Sequence, residues 1–297
     1  MGSGLAEASR AARDVFEAVD EALGQNLFRL MREGPDDKLK LTENAQPAIM
    51  AHALAVFAAL TKEGGVELEK ATRFVAGHSL GEYSALCAAG SFDLATTAKL
   101  LKLRGQAMQA AVPVGVGAMS ALLGADVELA RKVAEAAAQG EVCEVANDND
   151  PSQVVLSGHA SAIERAIGLA KEMGAKRAVQ LPVSAPFHCS LMQPAADAMA
   201  DALSYEVLEA PAVPLFANVT AAPTSDPDTI RSQLVEQVTG MVRWRESIAN
   251  MAAAGVDEFV ELGGKVLGPM VKRIAPESKV TSVVTIEDIE ALAKEIH

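Results

Sequence analysis

The chain has 297 residues, half of them hydrophobic but only 4% aromatic, so a substantial core must rest on Ala, Val, Leu, Ile and Met. Such helix-forming aliphatics favour α/β or all-α packing over a β-sandwich. A formal net charge of −13 argues against nonspecific binding to nucleic acid or anionic membranes, which need an electropositive footprint.

Three separated cysteines, Cys87, Cys143 and Cys189, form no CxxC pair and read as free thiols in a reducing compartment. No zinc-ligand spacing occurs, and no metal is expected. The N-terminus lacks the apolar region of a signal peptide, and no apolar run has transmembrane length, so a cytoplasmic address is expected.

Apolar residues at helical spacing predict a helix over Leu5–Leu23 ending at Gly24. A second long helix is expected over Pro47–Lys62, with the proline in its first turn. Phe74–Ala76 reads as a short strand, followed after Gly77-His78-Ser79-Leu80-Gly81-Glu82 by a helix through Tyr83 to Ala89. Asp93 can cap a long helix carrying Leu101, Arg104 and Met108. Strands are then expected at Val116–Leu123, Val142–Ala146, Gln153–Ser157 and Arg177–Val183, with helices at Asp126–Ala138 and Ala160–Met173 and a turn over Asn147–Pro151. That β-α-β-β-α-β order is the split pattern of ferredoxin-like units, here an inserted small subdomain over residues 115–184. The large subdomain, residues 1–114 and 185–297, resumes strand–helix alternation. Its strands are expected at Val213–Ala217, Glu258–Leu262 and Val280–Val284, and its helices at Thr229–Gln237, Trp244–Ala254, Lys265–Ile274 and Asp288–Glu295. The alternation implies an α/β, α/β-hydrolase-like fold with a mainly parallel sheet covered by helices.

Gly77-His78-Ser79-Leu80-Gly81 matches G-x-S-x-G between a predicted strand and a predicted helix. A tight turn there would raise Ser79 Oγ at the carboxyl edge of the sheet and place the Leu80 N–H to stabilise an oxyanion. A capping serine in a plain strand-to-helix turn is the competing reading. A serine nucleophile needs a base. Of the five histidines, His52 lies within a predicted helix, His78 adjoins Ser79 and should point elsewhere, His159 sits in a small-subdomain loop, and His297 is terminal. His188 follows a strand and an Ala-Pro pair, where the site should lie; a satisfied structural histidine is the alternative.

The Gly77–Glu82 motif resembles the nucleophile segment of malonyl-CoA:acyl carrier protein transacylases and of the acyltransferase domains of polyketide and fatty-acid synthases. Leu103-Arg104-Gly105-Gln106, Pro182-Val183-Ser184-Ala185-Pro186-Phe187-His188, Leu234-Val235-Glu236-Gln237 and Glu261-Leu262-Gly263-Gly264-Lys265-Val266-Leu267 extend the likeness from about Leu5 to the C-terminus. The resemblance implies Ser79 as nucleophile, His188 as general base and then general acid, and Gln237 as the source of an oxygen that orients His188, by side chain or by backbone. By itself Arg104 reads as a solvated helical side chain; the resemblance makes it the partner of malonate's free carboxylate, suited to planar, bidentate pairing. Phe187 would crowd the space of an α-methyl group. Asn149, with Asn147 and Gln153, matches a run near the acyl pocket, although a plain turn fits it equally well, and His78 and Met108 complete the expected pocket.

Family members open with a strand and a Gly-Gln-Gly-Ser-Gln loop that supplies a second oxyanion donor, and this segment has no counterpart here. One strand and one donor are therefore expected to be missing, a loss that can cost about 10²–10³ in rate. The implied reaction is ping-pong transfer of malonyl from coenzyme A to a carrier's phosphopantetheine thiol in fatty-acid synthesis, with no tightly bound cofactor. The partners are acyl carrier protein and a coenzyme A thioester, with no nucleic acid or membrane. The alternatives are a serine hydrolase or thioesterase on the same turn, a chain of impaired activity for want of that loop, and a noncatalytic protein that binds carrier without forming an acyl-serine. Lys176-Arg177 and Lys272-Arg273 are candidate patches for an acidic carrier.

Overall fold

The computed structural model describes residues 1–183 and 185–296; Ser184, within the Pro182–His188 stretch, and His297 lie outside the described residues. The described strands are β1 (Val75–Ala76), β2 (Gly117–Leu123), β3 (Cys143–Asp150), β4 (Gln153–His159), β5 (Arg177–Gln180), β6 (Leu215–Ala217), β7 (Ala222–Thr224), β8 (Glu258–Leu262) and β9 (Lys279–Val283). They form three sheets, ordered β1-β6-β7, β3-β4-β2-β5 and β8-β9. β1 runs parallel to β6 and β8 parallel to β9, the pairing that strand–helix alternation demands. The parallel strands are split between two short sheets, and β7, which was not predicted, joins β6 antiparallel.

β2 to β5 pair only antiparallel, in the strand order of a ferredoxin-like unit. Alternate residues serve opposite faces, as the period of a strand requires. Leu122, Val154 and Leu156 pack on Val133, Ala137, Ile163 and Ala166 of the two helices Val127–Ala138 and Ala160–Glu172. Met119, Ala121 and Val155 pack on the other side with Phe187. The larger core joins helices Arg10–Leu23, Thr42–Ala58, Leu94–Ala110 and Gln193–Tyr205 through Phe16, Met50, Leu101 and Met199. The whole is an α/β fold with a ferredoxin-like small unit.

The helices differ from expectation in places. The helix expected over Leu5–Leu23 is two, Ser3–Ala8 and Arg10–Leu23, because Ser9 turns extended (φ −122°, ψ 126°) and its hydroxyl caps the second by accepting from the Ala12 N–H. The next long helix begins at Thr42, runs through Pro47 to Ala58 and continues as a π-helical turn, Ala59–Glu63. Helices Leu27–Glu33, Asp36–Leu39 and Gln193–Tyr205 are additional.

The largest correction concerns residues 147–150, expected to form a turn. They are the end of strand β3, buried, and the connection to β4 shrinks to Pro151 and Ser152. The run survives burial because its two carboxylates and the backbone of its edge are partnered. Asn147 bridges in parallel to Val242, and the Asp148 N–H donates to the Val242 carbonyl (3.0 Å), so the 240–243 loop covers this edge strand. The Asp148 carboxylate pairs with Arg245 and that of Asp150 with Arg273, both at 2.8 Å. Burial raises the Asp148 carboxyl's proton affinity and Arg245 holds it down. Asn-Asp-Asn-Asp is thus a polar seam that ties the small sheet to helices Trp244–Ala253 and Leu267–Ile274.

Candidate active site

Because β1 and β6 are parallel, their carboxyl ends lie side by side, and the residues just beyond them meet. Ser79 follows β1 and Asn218 follows β6. The Ser79 N–H donates to Asn218 Oδ1, and Asn218 Nδ2 donates to the Gly77 carbonyl, both at 2.8 Å. This clasp holds Ser79 in the left-handed region at φ 53°, a conformation costing about 1–3 kcal/mol for a residue with a side chain.

Only one of the two motif glycines is required by space. A Cβ on Gly77 would lie 2.0 Å from the Gly81 carbonyl carbon and oxygen, whereas one on Gly81 would meet nothing within 4 Å. Gly77→Ala is therefore expected to destabilise the protein by about 1–3 kcal/mol or more, and Gly81→Ala to stay within about 1 kcal/mol of wild type; urea denaturation midpoints of the two variants check the contrast.

The turn also isolates one amide. Around the elbow, the N–H groups of Gly81, Glu82 and Tyr83 donate to the carbonyls of His78, Ser79 and Leu80, and that of Ser79 goes to Asn218. The Leu80 N–H takes none of these acceptors and stands at the start of helix Gly81–Ala88, where a helix favours negative charge.

Ser79 Oγ lies 2.7 Å from His188 Nε2, and His188 Nδ1 lies 2.8 Å from the backbone carbonyl of Gln237. A carbonyl only accepts, so the proton sits on Nδ1 and Nε2 offers its lone pair to the serine hydroxyl. His188 is itself left-handed at φ 56°. Its loop is anchored beyond by Ser190, whose N–H and hydroxyl both donate to the Glu144 carboxylate of β3. Burial, and then the Arg104 cation, push the His188 imidazole down to about 3, so it rests as the free base.

Arg104 is 1% exposed. Gly105 lets its helix approach helix Thr42–Ala58 closely, since a Cβ there would fall 2.5 Å from Glu43 Cα, and Gln46 of that helix receives Arg104 Nη1–H at 2.7 Å. Arg104 Nη2 donates to Gln237 Oε1 (2.8 Å) and to Ser79 Oγ (3.1 Å), while Nε has no partner among the described residues. The guanidinium lies 5.8 Å from the Tyr83 ring centroid. It forms no carboxylate ion pair within 4 Å among the described residues, so a buried cation faces Ser79 without a direct counter-ion there.

Gln237 uses both of its oxygens: the backbone one accepts from His188 Nδ1 and the side-chain one from Arg104 Nη2. Asn149 Oδ1 meets His78 Nε2 at 2.8 Å, and the His78 ring packs against Trp244 with centroids 5.6 Å apart, so neither contact is with Ser79. Met108 is buried with its sulfur 3.6 Å from Gln46 Nε2, so it supports the arginine through Gln46. Phe187 is half-buried between the two main packing regions.

Gln46, Glu82 and Asn218 were not assigned from sequence. Asn218 had a usable signal, its place just past a strand that pairs with the nucleophile strand. Of the basic pairs, Arg273 is engaged by Asp150 and Lys272 by the Ser278 carbonyl, which leaves exposed Lys176 and Arg177 as the freer patch.

A left-handed serine with a carbonyl-held imidazole, on an α/β scaffold carrying a ferredoxin-like unit, defines a serine enzyme of acyl transfer. Comparison with known proteins agrees. Residues 1–267 match the acyl transferase domain, and the chain belongs to that family. It is 43% identical to the malonyl CoA-acyl carrier protein transacylase of Escherichia coli K12 over 92% of this chain and 88% of that one. It is 42% identical to the Bacillus subtilis protein of the same name over 98% and 90%. The crystal structure of the acyl-carrier-protein S-malonyltransferase from Bartonella henselae superposes with TM-score 0.97 at 53% identity, covering 100% of this chain and 94% of that one. A structure described as a type II PKS acyl-carrier protein in complex with its malonyl-transacylase superposes with TM-score 0.95 at 36% identity, covering 99% and 94%.

Proposed function

We infer that this chain transfers a malonyl group from malonyl-CoA to the phosphopantetheine thiol of an acyl carrier protein, through a malonyl ester on Ser79, and that it serves fatty-acid synthesis. The observation that carries this reading is Arg104, a buried guanidinium 3.1 Å from Ser79 Oγ with no carboxylate ion pair among the described residues. In malonyl thioesters one methylene separates the reacting carbonyl from a carboxylate, so an acyl group seated at Ser79 presents its charge where the guanidinium waits.

The chemistry follows from the contacts. Ser79 gives its proton to His188 Nε2 as Oγ bonds to the thioester carbon, and the Gln237 carbonyl steadies the imidazolium. The Leu80 N–H supports the oxyanion. Collapse breaks the carbon–sulfur bond, and the coenzyme A thiolate leaves with the proton from His188. The carrier thiol then loses its proton to His188, attacks the malonyl ester and releases Ser79, which recovers that proton. No step is assigned to a metal or a resident cofactor. Among the described residues no helix is long and apolar enough to cross a membrane, and the cytoplasm is the proposed location.

Intact-protein mass spectrometry after brief mixing with malonyl-CoA, then with carrier protein, tests the reading. A malonyl adduct that is absent in Ser79→Ala and passes to the carrier thiol supports it. No Ser79-dependent adduct, or an adduct lost only to water, overturns it.

A further inference from the structure

Glu82 is a carboxylate buried at 1% exposure to which the mechanism gives no role. Its Oε1 accepts the Asn218 N–H at 2.6 Å, and its Oε2 accepts a short hydrogen bond from Gln237 Nε2. Gln237 Nε2 also donates to the Ser79 carbonyl at 2.9 Å, and its Oε1 receives Arg104 Nη2–H. The Gln237 amide thus has only acceptors on one side and a donor on the other, which leaves it one satisfied orientation. Carboxyl, amide and guanidinium form a chain in which the neutral amide stands between the two ionisable groups.

We propose that Glu82 is a positioning residue for acyl-group selection: through the Gln237 amide it aims the Arg104 guanidinium at Ser79 while leaving that cation free for the substrate's carboxylate. A direct Glu82–Arg104 ion pair would consume the fork that malonate needs. An amide between them transmits orientation and part of the field, but leaves the Arg104 Nε–H unclaimed. Burial is the largest influence and pushes the Glu82 carboxyl up to about 8, against the smaller downward pull of the Asn218 N–H, the Gln237 amide and the Arg104 charge; the two hydrogen bonds themselves are ones that its carboxyl oxygens accept.

Glu82→Gln exposes the linkage. An amide at position 82 must turn an NH₂ toward either the Asn218 N–H or the Gln237 NH₂. If Gln237 flips to escape, its oxygen faces the Ser79 carbonyl and its NH₂ faces Arg104. The disturbance therefore ends at the guanidinium.

The inference rests on the proposed malonyl transfer, and its test separates the two. Malonyl and acetyl transfer from coenzyme A to carrier protein are measured as kcat/KM for wild type, Glu82→Gln, Gln237→Ala and the double variant, with thermal midpoints recorded beside them. Glu82→Gln is expected to lower the malonyl-to-acetyl ratio about ten- to hundredfold, the worth of a hydrogen bond to a charged group. The double variant is expected to be no worse than the poorer single one. Equal losses for both acyl groups, or losses that multiply in the double variant, overturn the proposal and leave Glu82 a structural acid. If Glu82→Gln does not fold, Glu82→Asp, which keeps the charge and withdraws it from Gln237 by one methylene, takes its place in the same comparison. A wild-type protein that forms no malonyl-Ser79 would instead overturn the proposed function.

Discussion

Arg104→Ala is expected to lower kcat/KM for malonyl transfer by about 10²–10³-fold, the cost of removing one partner of a buried, hydrogen-bonded charge pair, while acetyl transfer changes by less than about tenfold. The asymmetry follows from the site. The guanidinium is buried without an ion pair, and its donors reach two amide oxygens and the nucleophile. An acetyl group brings no charge to pair with it. Arg104→Lys is expected to recover little, because a point charge cannot hold Gln46, Gln237 and a carboxylate in one plane. Steady-state kinetics with both thioesters check this, and equal losses for the two acyl groups would remove Arg104 from substrate recognition.

A second large effect is expected at His188. His188→Ala should slow formation of the acyl-serine by about 10²–10⁴-fold, the usual contribution of a positioned base, as read by single-turnover mass spectrometry. The same residue ties stability to pH. Its folded proton affinity lies near 3, whereas in the unfolded chain it titrates near the ordinary value of about 6.5. Between these limits the unfolded state binds the extra proton, so stability falls as pH falls through that window, by up to about 1.4 kcal/mol per pH unit from this group. Burial lowers the proton affinities of His78 and His52 as well, and they act in the same direction, whereas Glu82, raised to about 8, binds its extra proton in the folded state and opposes them. Lowering the pH from 7 to 5 should therefore shift the urea midpoint of His188→Gln less toward instability than that of wild type, the difference between the two slopes isolating His188. An unchanged slope in the variant would show that His188 is not held in its free-base form.

The turn at Ser79 and the place of His188 beside it were legible from short motifs. Gly77 before Ser79 at a strand–helix junction leaves few conformations, and His188 beyond an Ala-Pro pair falls at the edge where a parallel sheet presents its functional residues. Caps at Asp93 and Asp126 were equally plain, since each donor–acceptor pair, with Thr96 and with Leu129, spans three residues. The Asn147–Asp150 run misled for the same reason. Locally it has the composition of a turn, and its partners Val242, Arg245 and Arg273 lie about a hundred residues away, beyond the reach of pattern. The break at Ser9 and the start at Thr42 show the same limit on a smaller scale.

By itself the amino-acid sequence determined the α/β class and the family resemblance, and it singled out Ser79 and His188 as candidates for nucleophile and base, because each rests on short contiguous motifs. Tertiary structure alone decided what Arg104 faces, how Gln237 divides its two oxygens between His188 and Arg104, and that Glu82, Asn218 and Gln46 belong to the site. Those contacts join helices and strand ends far apart in the chain, and whether a buried charge is paired or left waiting depends on which polar groups packing brings within about 3 Å of it.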